Sequence, residues 1–73
     1  MPKISPVSYS KLVKVFKKIG FKIVREESSH LMLVKDGVLR PVVIPKYSAI
    51  PVFIIKNNLR VAGISREDYF KLL

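Results

Sequence analysis

Between Ser8 and Gly20 the apolar residues recur at helical spacing. Placing successive residues about 100° apart gathers Tyr9, Leu12, Val13, Val15, Phe16 and Ile19 on one broad arc and Lys11, Lys14, Lys17 and Lys18 on the other. Ser8 or Ser10 can cap this helix, which is expected to run to Ile19, and Gly20 supplies the left-handed residue that ends it. The pattern then changes to short runs rich in β-branched and apolar residues, Phe21 to Glu26, His30 to Lys35 and Val38 to Ile44, which predict three strands. Ser28-Ser29 and Asp36-Gly37 separate them. The second pair is a strong hairpin signal, so the strands are expected to form an antiparallel meander. Pro41 lacks an N–H, which places the third strand at an edge or gives it a bulge.

Pro45 to Pro51 reads as a short loop, and Pro51 suits the first turn of a second helix that ends at Gly63. Val52, Ile55, Leu59 and Ala62 share one face of it and are expected to dock on the sheet, whereas Phe53, Ile54 and Val61 do not fit that face. Those three are covered by the loop or the last helix, or they form an exposed patch for a partner. Ser65 with Asp68 has capping-box spacing, so a last helix over Arg66 to Leu72 is expected to return Tyr69, Phe70, Leu72 and Leu73 to the core. The predicted fold is α+β, in the order α-β-β-β-α-α, with helices on one face of a three-stranded antiparallel sheet.

Composition narrows what such a fold can do. The 73 residues carry 14 Lys+Arg against 5 Asp+Glu, a net charge of +9, with 49% hydrophobic residues and no cysteine. A chain this short buries only about 60% of the surface its unfolded form exposes, so it reads as one domain over 1–73 without a deep enclosed cavity. Without cysteine there is neither a disulfide framework nor a thiolate metal site, and one histidine cannot supply a zinc centre, so no metal or cofactor is expected. The apolar runs fall far short of the roughly 18 residues of a membrane span, and Met1 to Val7 lacks a signal-peptide apolar region. A cytoplasmic protein with no membrane partner is the expectation.

Seven basic residues precede the first acid, Glu26. A lysine stripe of this kind is a solvated, solubilising face or a surface that tracks phosphates, where counterion release gives sequence-independent affinity for nucleic acid. His30 stands where the serine turn meets the second strand. Histidine is the side chain whose unperturbed titration lies near neutrality, and at a strand end it serves structure or proton transfer to and from a ribose hydroxyl or leaving oxygen.

The segment Gly20-Phe21-Lys22-Ile23-Val24-Arg25-Glu26-Glu27-Ser28-Ser29-His30-Leu31-Met32-Leu33 resembles the HicA family of toxin messenger-RNA interferases. In that family a helix ends in Gly-Phe, a strand follows, and a Gly-Ser-His turn opens the next strand. The likeness continues at Val43-Ile44-Pro45, at Leu59-Arg60-Val61-Ala62-Gly63-Ile64-Ser65 and at Tyr69-Phe70-Lys71-Leu72-Leu73, and so covers nearly the whole chain. Two positions depart from it. Ser28 replaces the glycine of the Gly-Ser-His turn, and Tyr47 stands where many members have a histidine after the proline.

The resemblance implies a fold like that of double-stranded-RNA-binding domains, metal-independent cleavage of messenger RNA, and neutralisation by a HicB-type antitoxin. It makes His30 the catalytic histidine, acting as general base on a ribose 2′-OH or as general acid on the 5′-oxygen, with a nearby Lys or Arg stabilising the phosphorane. Lys22, Lys46 and Lys56 are the candidate cations, and Tyr47 could orient the RNA backbone. Lys11, Lys14 and Lys18, with Ser29 beside the histidine, complete the expected RNA-binding set. The alternative reading is a non-catalytic double-stranded-RNA-binding module, which the same topology and charge would serve.

Overall fold

A serine hydroxyl starts the first helix. Ser8 takes the N-cap of α1 (Tyr9–Lys18), its oxygen accepting from the Lys11 amide, and at the other end Gly20, with φ of +102°, turns the chain into the sheet. Leu12, Val13, Val15 and Phe16 are buried on α1, while Lys11, Lys14, Lys17 and Lys18 are exposed, as the spacing predicts. The computed structural model describes residues 3–73; the start of the Met1 to Val7 segment, Met1 and Pro2, lies outside the described residues.

The strands are β1 (Lys22–Glu26), β2 (His30–Val34) and β3 (Val42–Pro45), followed by the helices α2 (Val52–Ala62) and α3 (Arg66–Leu72). The chain is therefore α+β in the order α-β-β-β-α-α, and its sheet is an antiparallel meander in the order β1-β2-β3. Period-2 alternation separates its two faces. Leu31 and Leu33 on β2, with Val42 and Ile44 opposite them, are buried against the helices, whereas His30, Met32, Val34 and Val43 look out from the open face. Among the described residues thirteen buried apolar ones form one core, within which Phe16 and Phe21 meet edge to face at 5.3 Å.

Several boundaries differ from the sequence reading, each for a local reason. Phe21 precedes β1 and turns into the core, donating its N–H to Phe16 O at 3.1 Å. Asp36-Gly37 does close a turn, Val38 donating to Lys35 O at 3.1 Å, yet only Gly37 has positive φ, so the two-residue hairpin geometry that needs it at both positions does not form. Residues 38–41 are irregular, and strand pairing resumes only after Pro41. β3 is an edge strand, as the proline required, and the bulge lies instead in β1 at Val24. Pro51 is the N-cap of α2 and not its first helical residue.

On α2, Ile54 and Val61 pack partly against the core and only Phe53 is left strongly exposed; Leu73 is half exposed, not core. The hydroxyl of Ser65 caps α3 by accepting from the Asp68 N–H at 3.1 Å. One long-range clamp has no local signature in the sequence. Val7 and Ile50 form an isolated bridge, and Tyr9 donates to Tyr47 O at 3.1 Å, so the segment before α1 is tied to the loop before α2.

Candidate active site and nucleic-acid surface

The turn Glu27-Ser28-Ser29-His30 is closed by the Glu27 N–H donating to His30 O at 2.9 Å, and Ser29 O accepts from the Lys46 N–H at 2.9 Å. His30 is thereby held by both neighbouring strands at the first position of β2, half-buried on the open face and opposite Pro45. Neither serine of the turn has positive φ, so replacing the family's glycine with Ser28 carries no left-handed strain. The Ser29 hydroxyl lies 3.1 Å from His30 Nδ1. A hydroxyl both donates and accepts, so it can support either neutral tautomer of the ring, and the tautomer it supports makes Nε2 an acceptor or a donor.

The Val24 bulge decides which charged residues share a face with this histidine. Lys22 and Ile23 pair with Val34 and Leu33, and Arg25 and Glu26 pair with Met32 and Leu31, leaving Val24 unmatched. Regular alternation would place Lys22 and Glu26 together and Arg25 on the other side. The extra residue instead brings Arg25 to the open face, diagonal to His30, and sends Glu26 to the helix face. Arg25 Nε donates to Glu27 Oε1 at 2.6 Å. Sequence reasoning did not single out Arg25, because a bulge has no signal in a five-residue strand free of glycine and proline.

The other candidates distribute as follows. Lys14, Lys17 and Lys46 line a groove of about 280 Å³ between α1 and the sheet, with Tyr9, Glu26 and Leu31. Lys46 Nζ lies 3.1 Å from Glu26 Oε2. Lys11, Lys14 and Lys18 border a second groove of about 450 Å³ beside Leu72 and Leu73, where Lys18 Nζ donates to Leu72 O at 2.7 Å and so closes the end of α3. Lys22 is on His30's face but at the far end of β1. Lys56 lies on the solvent side of α2 and lines neither groove, and the Tyr47 ring is exposed while its carbonyl holds the start of α1. Among the described residues no group of three or more His, Cys, Asp or Glu is placed to hold a metal ion, and no helix is long and apolar enough to cross a membrane.

A family model described as the HicA toxin of bacterial toxin-antitoxin matches residues 9–64, from the first residue of α1 to the turn after α2. The chain belongs to the HicA toxin family. No curated protein and no solved structure matches it. The matched span contains α1 with its lysines, the serine turn, His30 and the whole sheet of this HicA chain, whereas Leu72 and Leu73, which border the second lysine groove, lie beyond it. Membership makes the chain a toxin of a kind paired with an antitoxin.

Proposed function

We propose that this HicA chain is a cytoplasmic, metal-independent endoribonuclease that cleaves messenger RNA, with His30 as its general acid/base and a HicB-type protein as its antitoxin. The observation that carries the reading is the placement of His30. It stands at the end of an open sheet face with a hydroxyl on Nδ1 and a guanidinium on the neighbouring strand, inside the span that matches the family. In the proposed step Nε2 takes the proton of a ribose 2′-OH and O2′ attacks the adjacent phosphorus. The bond to the 5′-oxygen breaks, leaving a 2′,3′-cyclic phosphate and a 5′-hydroxyl end that acquires a proton from water. Arg25, diagonal to His30 on the same face and paired with Glu27, offers positive charge to the phosphorane from nearer the histidine than Lys22, which is at the far end of β1, and on the histidine's face, unlike Lys46 and Lys56. Lys11, Lys14 and Lys17 hold the RNA backbone by charge, since phosphate contacts position without reading sequence.

The test is cleavage of RNA by purified His30→Ala, with a chelator present throughout. Loss of cleavage with the melting temperature unchanged within a few degrees supports the assignment, and wild-type cleavage by the variant overturns it. Ser29→Ala should keep activity but lower kcat by no more than about tenfold, the worth of one hydrogen bond, and change the pH dependence of kcat. A wild-type protein that binds duplex RNA and never cuts any RNA would turn the reading to a double-stranded-RNA-binding module.

A further inference from the structure

A trough of about 510 Å³ runs between the outer edge of β3 and α2, lined by Pro41, Val43, Phe53, Asn58, Arg60 and Val61. A second, of about 430 Å³, shares Arg60 and Val61 and continues to Leu39 and Arg40. Phe53 is 72% exposed and Leu39 fully so, an unusual concession for large apolar side chains in so small a protein. Asn58 is only 3% exposed, yet its Nδ2 has no hydrogen-bond partner among the described residues. No acidic residue lines either trough, and Arg40 and Arg60 form no ion pair among the described residues.

The edge of β3 adds main-chain chemistry. Lys46 donates to Ser29 O, so by alternation Ile44 and Val42 also direct their N–H and C=O groups toward β2, and Val43 directs its own outward. Pro41 and Pro45 flank it without an N–H, which leaves Val43 as the one outward main-chain donor between them and defines a single pairing register.

We propose that this edge and trough bind an acidic segment of a partner protein in extended conformation, added to the sheet as a fourth strand. The segment pairs with Val43 and sets alternate apolar side chains against Phe53 and Val61. Its carboxylates face Arg40 and Arg60, the latter in the trough that Asn58 also lines. An exposed aromatic beside arginines also suits a stacked nucleotide base, but the outward strand donor and the apolar lining fit a peptide better. The proposal is independent of the role of His30, and its test involves no RNA cleavage.

The full chain, labelled with ¹⁵N, is titrated with a capped heptapeptide alternating valine and glutamate, with its valine–lysine counterpart, and with oligouridine. Saturable shifts of the Val43, Phe53 and Arg60 amides and of the Asn58 side-chain NH₂ are expected with the acidic peptide alone. Arg60→Glu and Phe53→Ala, both at exposed positions, should each weaken that binding at least tenfold while leaving the remaining spectrum in place. Shifts confined to the α1 lysines, equal affinity in Arg60→Glu, the same amides moved by oligouridine, or no saturable shift at Val43 at millimolar peptide would each overturn it.

Discussion

Lys46 Nζ lies 3.1 Å from Glu26 Oε2, a pair that closes the mouth of β2 on the helix face while His30 occupies the opposite face at the same end of the sheet. Glu26 is largely exposed, so the pair adds little to stability. Its consequence is for the site. Glu26 lowers the positive charge of the groove that Lys14, Lys17 and Lys46 line, and the bulge that sends Glu26 there is what presents Arg25 beside His30.

Deleting Val24 tests that relationship. Residues 22, 23, 25 and 26 already face 34, 33, 32 and 31, so removing the unmatched residue leaves a regular ladder with Arg25 still on His30's face. The variant is expected to fold, to melt within a few degrees of wild type by circular dichroism, and to retain RNA cleavage. Loss of activity with the fold intact would mean that the bulge's twist, and not only the face it selects, is required.

Arg25→Ala should lower single-turnover cleavage of an RNA oligonucleotide by about 10–100-fold, approaching the effect of removing one donor to a developing oxyanion. Lys56→Ala, on the far side of α2, should change it less than about twofold. Equal effects from the two would remove the argument from sheet register.

Charge on α1 should act on affinity and not on the chemical step. Replacing Lys11, Lys14 and Lys17 with Gln is expected to weaken single-stranded RNA binding and to reduce the slope of log K against log salt by about 2, at about 0.7 for each phosphate that is no longer neutralised. Lys18 is left in place because its ammonium is engaged with Leu72 O. An unchanged slope in filter binding across salt concentrations would move the RNA path off this helix.

Tyr69 is buried and its hydroxyl has no hydrogen-bond partner among the described residues. Burial pushes its phenol up from the ordinary value of 10.0 by disfavouring the phenolate. The folded state thus holds this proton more tightly than the unfolded chain. Its contribution is fully present below pH 10 and is lost as the pH rises from there through the folded-state pKa. Tyr69→Phe removes an unsatisfied hydroxyl and keeps the ring's packing, so it should be neutral or stabilising by up to about 1 kcal/mol at pH 7. That corresponds to a rise in Tm of at most about 4–8 °C, and the loss of stability above pH 10 should be shallower than in wild type. A fall in Tm at pH 7 would show that the hydroxyl has a partner.

Much of the architecture was legible in the sequence because it rests on local rules. Helical spacing separated the buried arc of α1 from its lysines, Ser8, Gly20, Gly63 and Ser65 marked helix ends by chemistry that acts within a few residues, and short runs of β-branched and apolar residues between turn signals marked three strands. The serine turn and His30 were legible for the same reason, aided by the likeness to HicA. What the chain alone did not reveal depends on pairing between distant segments. A strand's face can be counted only if its register is unbroken, and the bulge at Val24 appears only when β1 is laid against β2. That pairing, not the order of residues, set Arg25 beside His30 and Glu26 against Lys46. The bridge from Val7 to Ile50, the capture of Lys18 by Leu72 and the trough between Val43 and Phe53 likewise join residues far apart in the chain. Sequence by itself determined which elements form and which faces are apolar, because those follow from neighbours a turn away; tertiary structure decided which charges meet and which surfaces stay open, because those follow from register.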